Sequence, residues 1–376
     1  MAKLRPLVLP LVLAILAVVV YNKRIRHEMV DFGVYRQAAA RSLNAEPLYR
    51  VEDGHYQFKY LPAFALAMAP FAILDQDTAK MVWFALSFGL LAAFLRWSVA
   101  ALPERRWSER TLLWLTLVLM AKFFGHELTL GQTNLLLGTL LVAALLTIQI
   151  DRPLVAGVLL GIAIFVKPYA LVFVPWLAVT QGVASALAAA AVLAAGLVLP
   201  AAVYGWHGNF DLLTGWYRTV TESTAPNLLG NDNISLAAMW AKWLGPGQPA
   251  TVLAALSSLG MLALVVVVWR KRRDVPTPDY LEFALLMLLI PLLSPQGWDY
   301  VLLLATPAVV CLLDRWREMK PGWQWLLGAS LALMCLTIFD AMGRELYSRF
   351  MALSIVTVCA LWVAGGLAHL RWRKLA

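Results

Sequence analysis

Apolar segments about as long as a bilayer is thick recur along most of this chain. Runs of roughly 15 to 20 apolar residues follow one another between residues 7 and 368, and about 20 are needed for a helix to cross the hydrocarbon layer. Hydrophobic residues make up 61% of the chain and charged residues 14%, a balance that no water-soluble core could bury. The sequence therefore predicts an all-α polytopic membrane protein embedded in the lipid bilayer.

The positive net charge of +9 does not indicate a nucleic-acid partner. Basic residues lie in short clusters between apolar segments, whereas nucleic-acid-binding domains collect them on one soluble face. Cys311, Cys335 and Cys359 lie inside apolar segments without metal-ligand or redox spacing, so we expect packing roles for them. No nucleic acid, metal ion or cofactor is expected.

Basic connections set the predicted orientation, because cytoplasmic loops collect Lys and Arg. Four connections are basic, at 96–110, 270–273, 315–320 and 371–374. Any two of them can share the cytoplasmic side only if an even number of crossings separates them. The arrangement that satisfies this condition has about 12 transmembrane helices, a first crossing at 7–21 and both termini inside.

Two long segments then lie outside the membrane, at about 22–78 and 204–250. The apolar stretch 61–74 is too short to cross and contains Pro62 and Pro70, so we expect an interfacial or re-entrant helix there. Neither exterior segment is long enough to form a separate soluble domain. The sequence therefore predicts a single domain over residues 1–376.

Asp31 follows the first predicted crossing directly, at the membrane surface. Its carboxylate could act as a general base on a hydroxyl held within about 3 Å. Alternatively, it could cap the helix expected over 32–42. Position alone does not decide between these roles.

Several polar residues fall within the predicted bundle, toward its exterior half. Ionisable groups at membrane depth are costly and usually line a cavity or a pathway. Lys167 could bind a phosphate as a compact cation, or its side chain could extend to the interface instead. The residues that could converge with it on one site are His126, Gln132 and Asn134.

The exterior segments contribute further candidates. Aromatic side chains such as Tyr35 and Tyr60 could line a substrate or anchor the chain at the headgroups. Asn233 and Ser235 could contact a polar ligand or cap the following helix. In the turn at 294–299, Trp298 could stack on a sugar and Asp299 could bind substrate or cap the next helix.

Taken in order, seven short motifs resemble glycosyltransferase family 87, whose members are polytopic enzymes of the GT-C class. The motifs are Asp31-Phe32-Gly33-Val34-Tyr35, Leu48-Tyr49, Phe58-Lys59-Tyr60-Leu61-Pro62, Leu130-Gly131-Gln132-Thr133-Asn134, Lys167-Pro168, Asn233-Ile234-Ser235-Leu236 and Leu293-Ser294-Pro295-Gln296-Gly297-Trp298-Asp299. The resemblance implies a GT-C-like bundle in the plasma membrane, the inner membrane of a bacterium. It also implies transfer of mannose, or a related sugar, from a polyprenyl-phosphate donor to an extracytoplasmic glycolipid or glycan acceptor, with Asp31 as the base.

The chain departs from the family pattern at two places. Tyr60-Leu61-Pro62 stands where the family usually has Tyr-Pro-Pro, and Asp299 follows Trp298 where the family often has histidine. If that histidine holds the donor phosphate, we expect Lys167, His126 or Arg36 to hold it here. Inversion at the sugar carbon then needs one base and in-line placement.

Two other classes of protein remain as alternatives. A lipid or polyprenyl-linked sugar transporter, or flippase, would be expected to carry internal repeats and paired charges near the membrane centre. A scaffold without an active site gives no reason for Lys167, Gln132 and Asn134 to lie toward one side. Polar residues are concentrated at one face of the predicted bundle and in the two large exterior segments, and this distribution favours an enzyme.

Overall fold

The computed structural model describes residues 15 and 17–375, so most of the first predicted crossing lies outside the described residues. Those residues form no β-strand, although Asn233 and Trp298 form an isolated antiparallel bridge. From residue 30 onward the α-helices are α1 (Val30–Leu43), α2 (Pro62–Ala67), α3 (Ala69–Ile73), α4 (Gln76–Ala100), α5 (Glu109–Leu130), α6 (Asn134–Gln149), α7 (Pro153–Val166), α8 (Phe173–Gln181), α9 (Val183–Val198), α10 (Ala201–Glu222), α11 (Thr224–Asn227), α12 (Leu236–Leu244), α13 (Gln248–Arg270), α14 (Asp279–Leu293), α15 (Thr306–Asp314), α16 (Pro321–Cys335), α17 (Phe339–Met342), α18 (Arg344–Ala352) and α19 (Ile355–Trp372).

Four of these helices are individually long and apolar enough to cross a bilayer, namely α4, α5, α13 and α19. Helices α9 and α10 are long and apolar enough to cross only when they are taken together, and they are bent by 91° relative to each other. Several further helices, such as α6 and α7, are apolar but shorter. The described chain is thus an α-helical membrane protein with four or five candidate spans, and the twelve-crossing arrangement stays a prediction.

The segment predicted to be too short to cross consists of α2 and α3, which meet at Met68. Pro62 and Pro70 each lie in the first turn of their helix, where a missing backbone N–H leaves no hydrogen bond unmade. Helix α2 has six residues and α3 has five, far fewer than a crossing requires. The interfacial placement of this pair stays a prediction.

Helix α10 lies in a region that the sequence predicts as an exterior loop. It runs for 22 residues and changes direction at Gly205, whose backbone has a φ of 69°. Aromatic and polar residues alternate along it, so no long apolar run marks it as a crossing. Residues 204–222 are therefore helical, and the placement of 204–250 outside the membrane stays a prediction.

Two hydrophobic cores hold the described helices together. The larger one surrounds α14, in which every residue from Tyr280 to Leu292 is buried. The smaller one lies beneath α1 and contains Phe32, Tyr35 and Trp83. Because Phe32 is buried and stacks on Trp83 at 5.4 Å, the first turn of α1 is fixed against α4.

Candidate active site

A cavity of about 450 Å³ opens where α1, the 55–60 segment, the end of α5 and the turn at 294–301 meet. Asp31, the candidate base, and Lys167, the candidate phosphate ligand, both line it. Five other predicted residues line it as well, namely Tyr35, Tyr60, His126, Gln132 and Trp298. The fold thus brings together seven of the predicted residues around one space.

The Gln132 side chain connects the groups of this cavity. Its amide nitrogen donates hydrogen bonds to Asp31 Oδ2 at 2.8 Å and to the Tyr300 hydroxyl at 3.2 Å. Its carbonyl oxygen accepts from the Tyr35 hydroxyl at 3.1 Å and lies 3.5 Å from Lys167 Nζ. One neutral amide therefore separates the carboxylate from the ammonium and fixes the position of both.

Asp31 does not cap a helix. Met29, in the left-handed conformation with a φ of 40°, is the N-cap of α1, and no side chain caps that end. The carboxylate of Asp31 instead points to Gln132. Burial raises the pKa of Asp31, while the hydrogen bond from Gln132 and the charge of Lys167 oppose that shift. A carboxylate with a raised pKa is a stronger base, which suits proton abstraction from a hydroxyl.

Gly131 fixes the position of Gln132. It ends α5 with a φ of 69°, a conformation that favours glycine. Its carbonyl accepts a hydrogen bond from Trp83 Nε1 at 2.9 Å, and a Cβ at this position would lie 2.8 Å from Phe32 Cβ. The backbone N–H of Met29 donates to Thr129 O at 2.9 Å, so α1 is attached to the end of α5 beside the cavity.

Two lysines supply positive charge to the cavity. Lys167 follows the last residue of α7, and its ammonium lies 5.9 Å from the centre of the Tyr60 ring. Because it reaches Gln132 within the cavity, the alternative of an ammonium extended to the interface does not describe it. Lys59 lines the same space, and burial lowers its pKa.

Asp299 lies behind the cavity wall, where it faces two cations. Its Oδ1 is 3.5 Å from His126 Nδ1, and its Oδ2 is 3.9 Å from Lys122 Nζ. The His126 ring also meets the Tyr300 ring edge to face at 5.1 Å. Asp299 is buried, does not line the cavity and makes no capping hydrogen bond. Its position allows it to orient His126 rather than to contact a substrate.

Two predicted residues have partners away from the cavity. Arg36 donates to the carbonyls of Phe71 and Leu74 at 3.2 and 2.8 Å, so it holds the end of α3. Asn134 is fully buried and donates to Glu127 Oε2 at 2.7 Å. The guanidinium of Arg36 and the amide of Asn134 therefore bind the protein itself.

Asn233 and Ser235 also lie outside the cavity lining. The Asn233 amide nitrogen donates to Pro295 O at 2.9 Å, and the backbone N–H of Ile234 donates to Gly297 O at 2.7 Å. Ser235 is the N-cap of α12, as one of the two sequence interpretations expected. These contacts join the segment that precedes α12 to the 294–299 turn, and they thereby position Trp298 in the cavity wall.

Other cavity residues were not among the predicted ones. They include His55, Lys59, Tyr169, Asp232, Gln296 and Tyr300. Burial raises the pKa of Asp232, and the nearby Asp299 carboxylate acts in the same direction. The sequence offered a weak signal for Lys59, Gln296 and Tyr300, which lie in or beside the quoted motifs, but it gave no signal that His55 and Tyr169 approach the same space.

Comparison with known proteins gives the family. The model of glycosyltransferase family 87 matches residues 58–295, which is more than half of the chain. The match includes Tyr60, Gln132 and Lys167, while Asp31 precedes it. No curated protein and no solved structure matches the chain. The chain belongs to glycosyltransferase family 87 and is a membrane glycosyltransferase.

Proposed function

We propose that this enzyme transfers mannose from a polyprenyl-phosphate donor to an extracytoplasmic lipid or glycan acceptor, with inversion and with Asp31 as the general base. The observation that carries the proposal is the Asp31–Gln132–Lys167 chain, which presents a base and a cation to one cavity. The proposal includes twelve crossings, both termini inside the cell, and a cavity that opens on the outer face of the bacterial plasma membrane.

Donor binding uses the positive charge of the cavity. The leaving group is a lipid phosphate, and Lys167 lies where its ammonium can contact a phosphate oxygen. His126 lines the same space and can donate a further hydrogen bond, with Asp299 holding its Nδ1 side. Arg36 is not part of this proposal, because its guanidinium is occupied by carbonyls of α3 and the residue after it.

The acceptor side uses Asp31. Its carboxylate takes the proton of the acceptor hydroxyl as that oxygen attacks the anomeric carbon, and the bond from this carbon to the phosphate oxygen breaks. The phosphate departs with the bonding electrons and is stabilised by the ammonium of Lys167. A single displacement inverts the anomeric carbon, so a β-linked donor gives an α-linked product.

The test of this function is a donor comparison with the purified protein in liposomes. We expect label to pass from polyprenyl-phosphate-mannose to a glycolipid acceptor, and α-mannosidase to release it from the product, because inversion gives an α-linkage. Polyprenyl-phosphate-glucose and a nucleotide-linked mannose serve as matched donors. Transfer from the nucleotide sugar alone would contradict the proposed donor, and release by β-mannosidase alone would contradict inversion.

Cysteine labelling tests the proposed orientation of the protein in the membrane. Glu52→Cys and Arg273→Cys each place a thiol at an exposed position, and the three native cysteines are buried. In intact spheroplasts we expect a membrane-impermeant maleimide to label position 52 but not 273, since the first lies in the exterior segment and the second in a basic cytoplasmic loop. Position 273 should react only after permeabilisation. Labelling of 273 and not 52 in intact spheroplasts would mean that the cavity faces the cytosol.

A further inference from the structure

Helix α10 carries three distinct faces. One face lies against the protein and consists of the buried Asn209, Leu212 and Thr219 and the half-buried Trp216. A second is apolar and consists of Trp206, Phe210, Leu213 and Tyr217. A third is polar and consists of His207, Asp211, Arg218 and Glu222. The members of each face are three, four or seven residues apart, which is the spacing of one helix face.

The aromatic side chains of the apolar face are largely exposed in the described protein. Trp206, Phe210 and Tyr217 are 72%, 68% and 66% exposed. The charged face is equally open, with the side chains of Asp211 and Arg218 exposed by 65% and 70%. Three large aromatic side chains aligned on one open face need an apolar environment, whereas the neighbouring charged face needs water.

The preceding helix indicates what that apolar environment is. Helix α9 is apolar along its whole length, and α10 turns away from it by 91°. If α9 runs along the membrane normal, α10 lies parallel to the membrane plane. A path through the bilayer is disfavoured, because it would expose the stripe of His207, Asp211, Arg218 and Glu222 to lipid.

We propose that α10 lies flat in the membrane–water interface, on the same side of the bilayer as the cavity. Its aromatic face enters the acyl boundary and its charged face meets water, as in an interfacial amphipathic helix. Trp and Tyr are the residues enriched at this depth. The lipid bilayer is the partner that the three faces fit, since a soluble protein partner would not require the right-angle turn from α9.

The buried face of α10 connects the bilayer to the cavity. Trp216 Nε1 donates to the carbonyl of Lys59 at 3.2 Å, and a Cβ on Gly215 would lie 3.1 Å from Tyr49 Cδ2. Tyr49 in turn donates to the carbonyl of Tyr60 at 2.7 Å. The cavity wall formed by Lys59 and Tyr60 is thereby attached to a helix that rests in the interface, beside the lipids.

Spin labels on neighbouring residues test the proposal without reference to sugar transfer. Phe210→Cys and Asp211→Cys in the full chain, each carrying a nitroxide, are compared in phosphatidylethanolamine–phosphatidylglycerol liposomes. Oxygen concentrates in lipid and a nickel chelate in water, so we expect the oxygen-to-nickel accessibility ratio to be several-fold higher at 210 than at 211. The pair Tyr217→Cys and Arg218→Cys should repeat the difference two helical turns further along.

Two results would overturn the proposal. Equal ratios at 210 and 211 would mean that both faces are in one environment, as in a helix lying above the membrane. A label at 210 that neither reagent reaches would mean that a protein surface, such as a second copy of the chain, covers the aromatic face. All four positions are exposed, so the labels leave the described packing intact.

Discussion

Replacing Asp31 by Asn is expected to lower the rate of sugar transfer by about 10²- to 10⁴-fold, the usual contribution of a positioned general base. The amide introduced at this position has nearly the same shape as the carboxylate and leaves the cavity intact, but it cannot accept the hydroxyl proton. The rate is measured as label transferred from polyprenyl-phosphate-mannose by the purified variant. Donor binding, measured separately by equilibrium binding, should change little, since the proposed phosphate contacts come from Lys167 and His126.

Asp211→Asn is the matched control for this variant. It makes the same chemical change on the charged face of α10, where the Asp211 side chain is 65% exposed and its carboxylate lies 3.7 Å from His207. We expect unaltered transfer by this variant. If the Asp31→Asn enzyme keeps full activity, Asp31 has no part in proton transfer and the mechanism proposed above is wrong.

The pH dependence of the wild-type rate provides a second measurement on Asp31. Only the deprotonated carboxylate is a base, so the rate rises as the pH rises through the pKa of Asp31. Burial raises that pKa, which places the acidic limb above the ordinary range of an aspartate. Gln132→Met removes the hydrogen bond that lowers the pKa, so its acidic limb is expected at still higher pH.

Much of the helical framework was predictable, because apolar run length is a local signal. The apolar pattern predicts helices at 279–293 and 152–166; α14 has the first pair of bounds, and α7 begins one residue later than the second pair. Helix α10 was not predictable in the same way, because interfacial helices mix aromatic and charged residues. A long apolar run identifies a helix that has apolar surroundings on every side. Only one face of α10 is buried against the protein, so this signal does not detect it.

Some residues of the candidate site were also predictable from the sequence, and others were not. Gln132 and Lys167 were predictable as polar residues within the bundle, Asp31 was singled out by the resemblance, and the structure places all three at one cavity. The roles of Asn134 and Asn233 were not, because an amide that binds a ligand and one that binds a neighbouring loop have the same sequence signature. Only the fold distinguishes them, by placing Glu127 beside Asn134 and Pro295 beside Asn233.

A buried ionic cluster at the other end of α14 joins several helices. Glu282 is fully buried and lies 2.9 Å from Arg371 Nη1 of α19 and 3.3 Å from Arg272 Nη1. Trp176 Nε1 of α8 donates to the same carboxylate at 2.8 Å. Arg371 also donates to the carbonyl of Val268 in α13. Glu282 is thus shared by Arg371 and Arg272, of which Arg272 also pairs with Asp279 at 2.8 Å, and the contacts of the cluster join α8, α13, α14 and α19.

Glu282→Met is therefore expected to lower the free energy of unfolding by about 3–5 kcal/mol, because it breaks the buried ion pair of 2.9 Å between Glu282 and Arg371. Unfolding by denaturant in detergent micelles measures the change. Glu345→Ala is the control, since it breaks an ion pair of 2.6 Å with Arg349 at the surface, where such pairs contribute about 0–1 kcal/mol. Equal losses for the two variants would contradict a special role for the cluster.

The double variant Glu282→Met with Arg371→Met separates charge from packing. If the ionic contact carries the stability, removing both partners costs less than the sum of the two single losses, because no uncompensated charge stays between them. Strictly additive losses would assign the effect to packing instead. Glu282 lies nine residues before Pro291, which lines the cavity, a separation of about 13 Å along a helix. The folded fraction of each variant should accordingly bind donor with wild-type affinity, since the cluster stabilises the bundle without contacting the site.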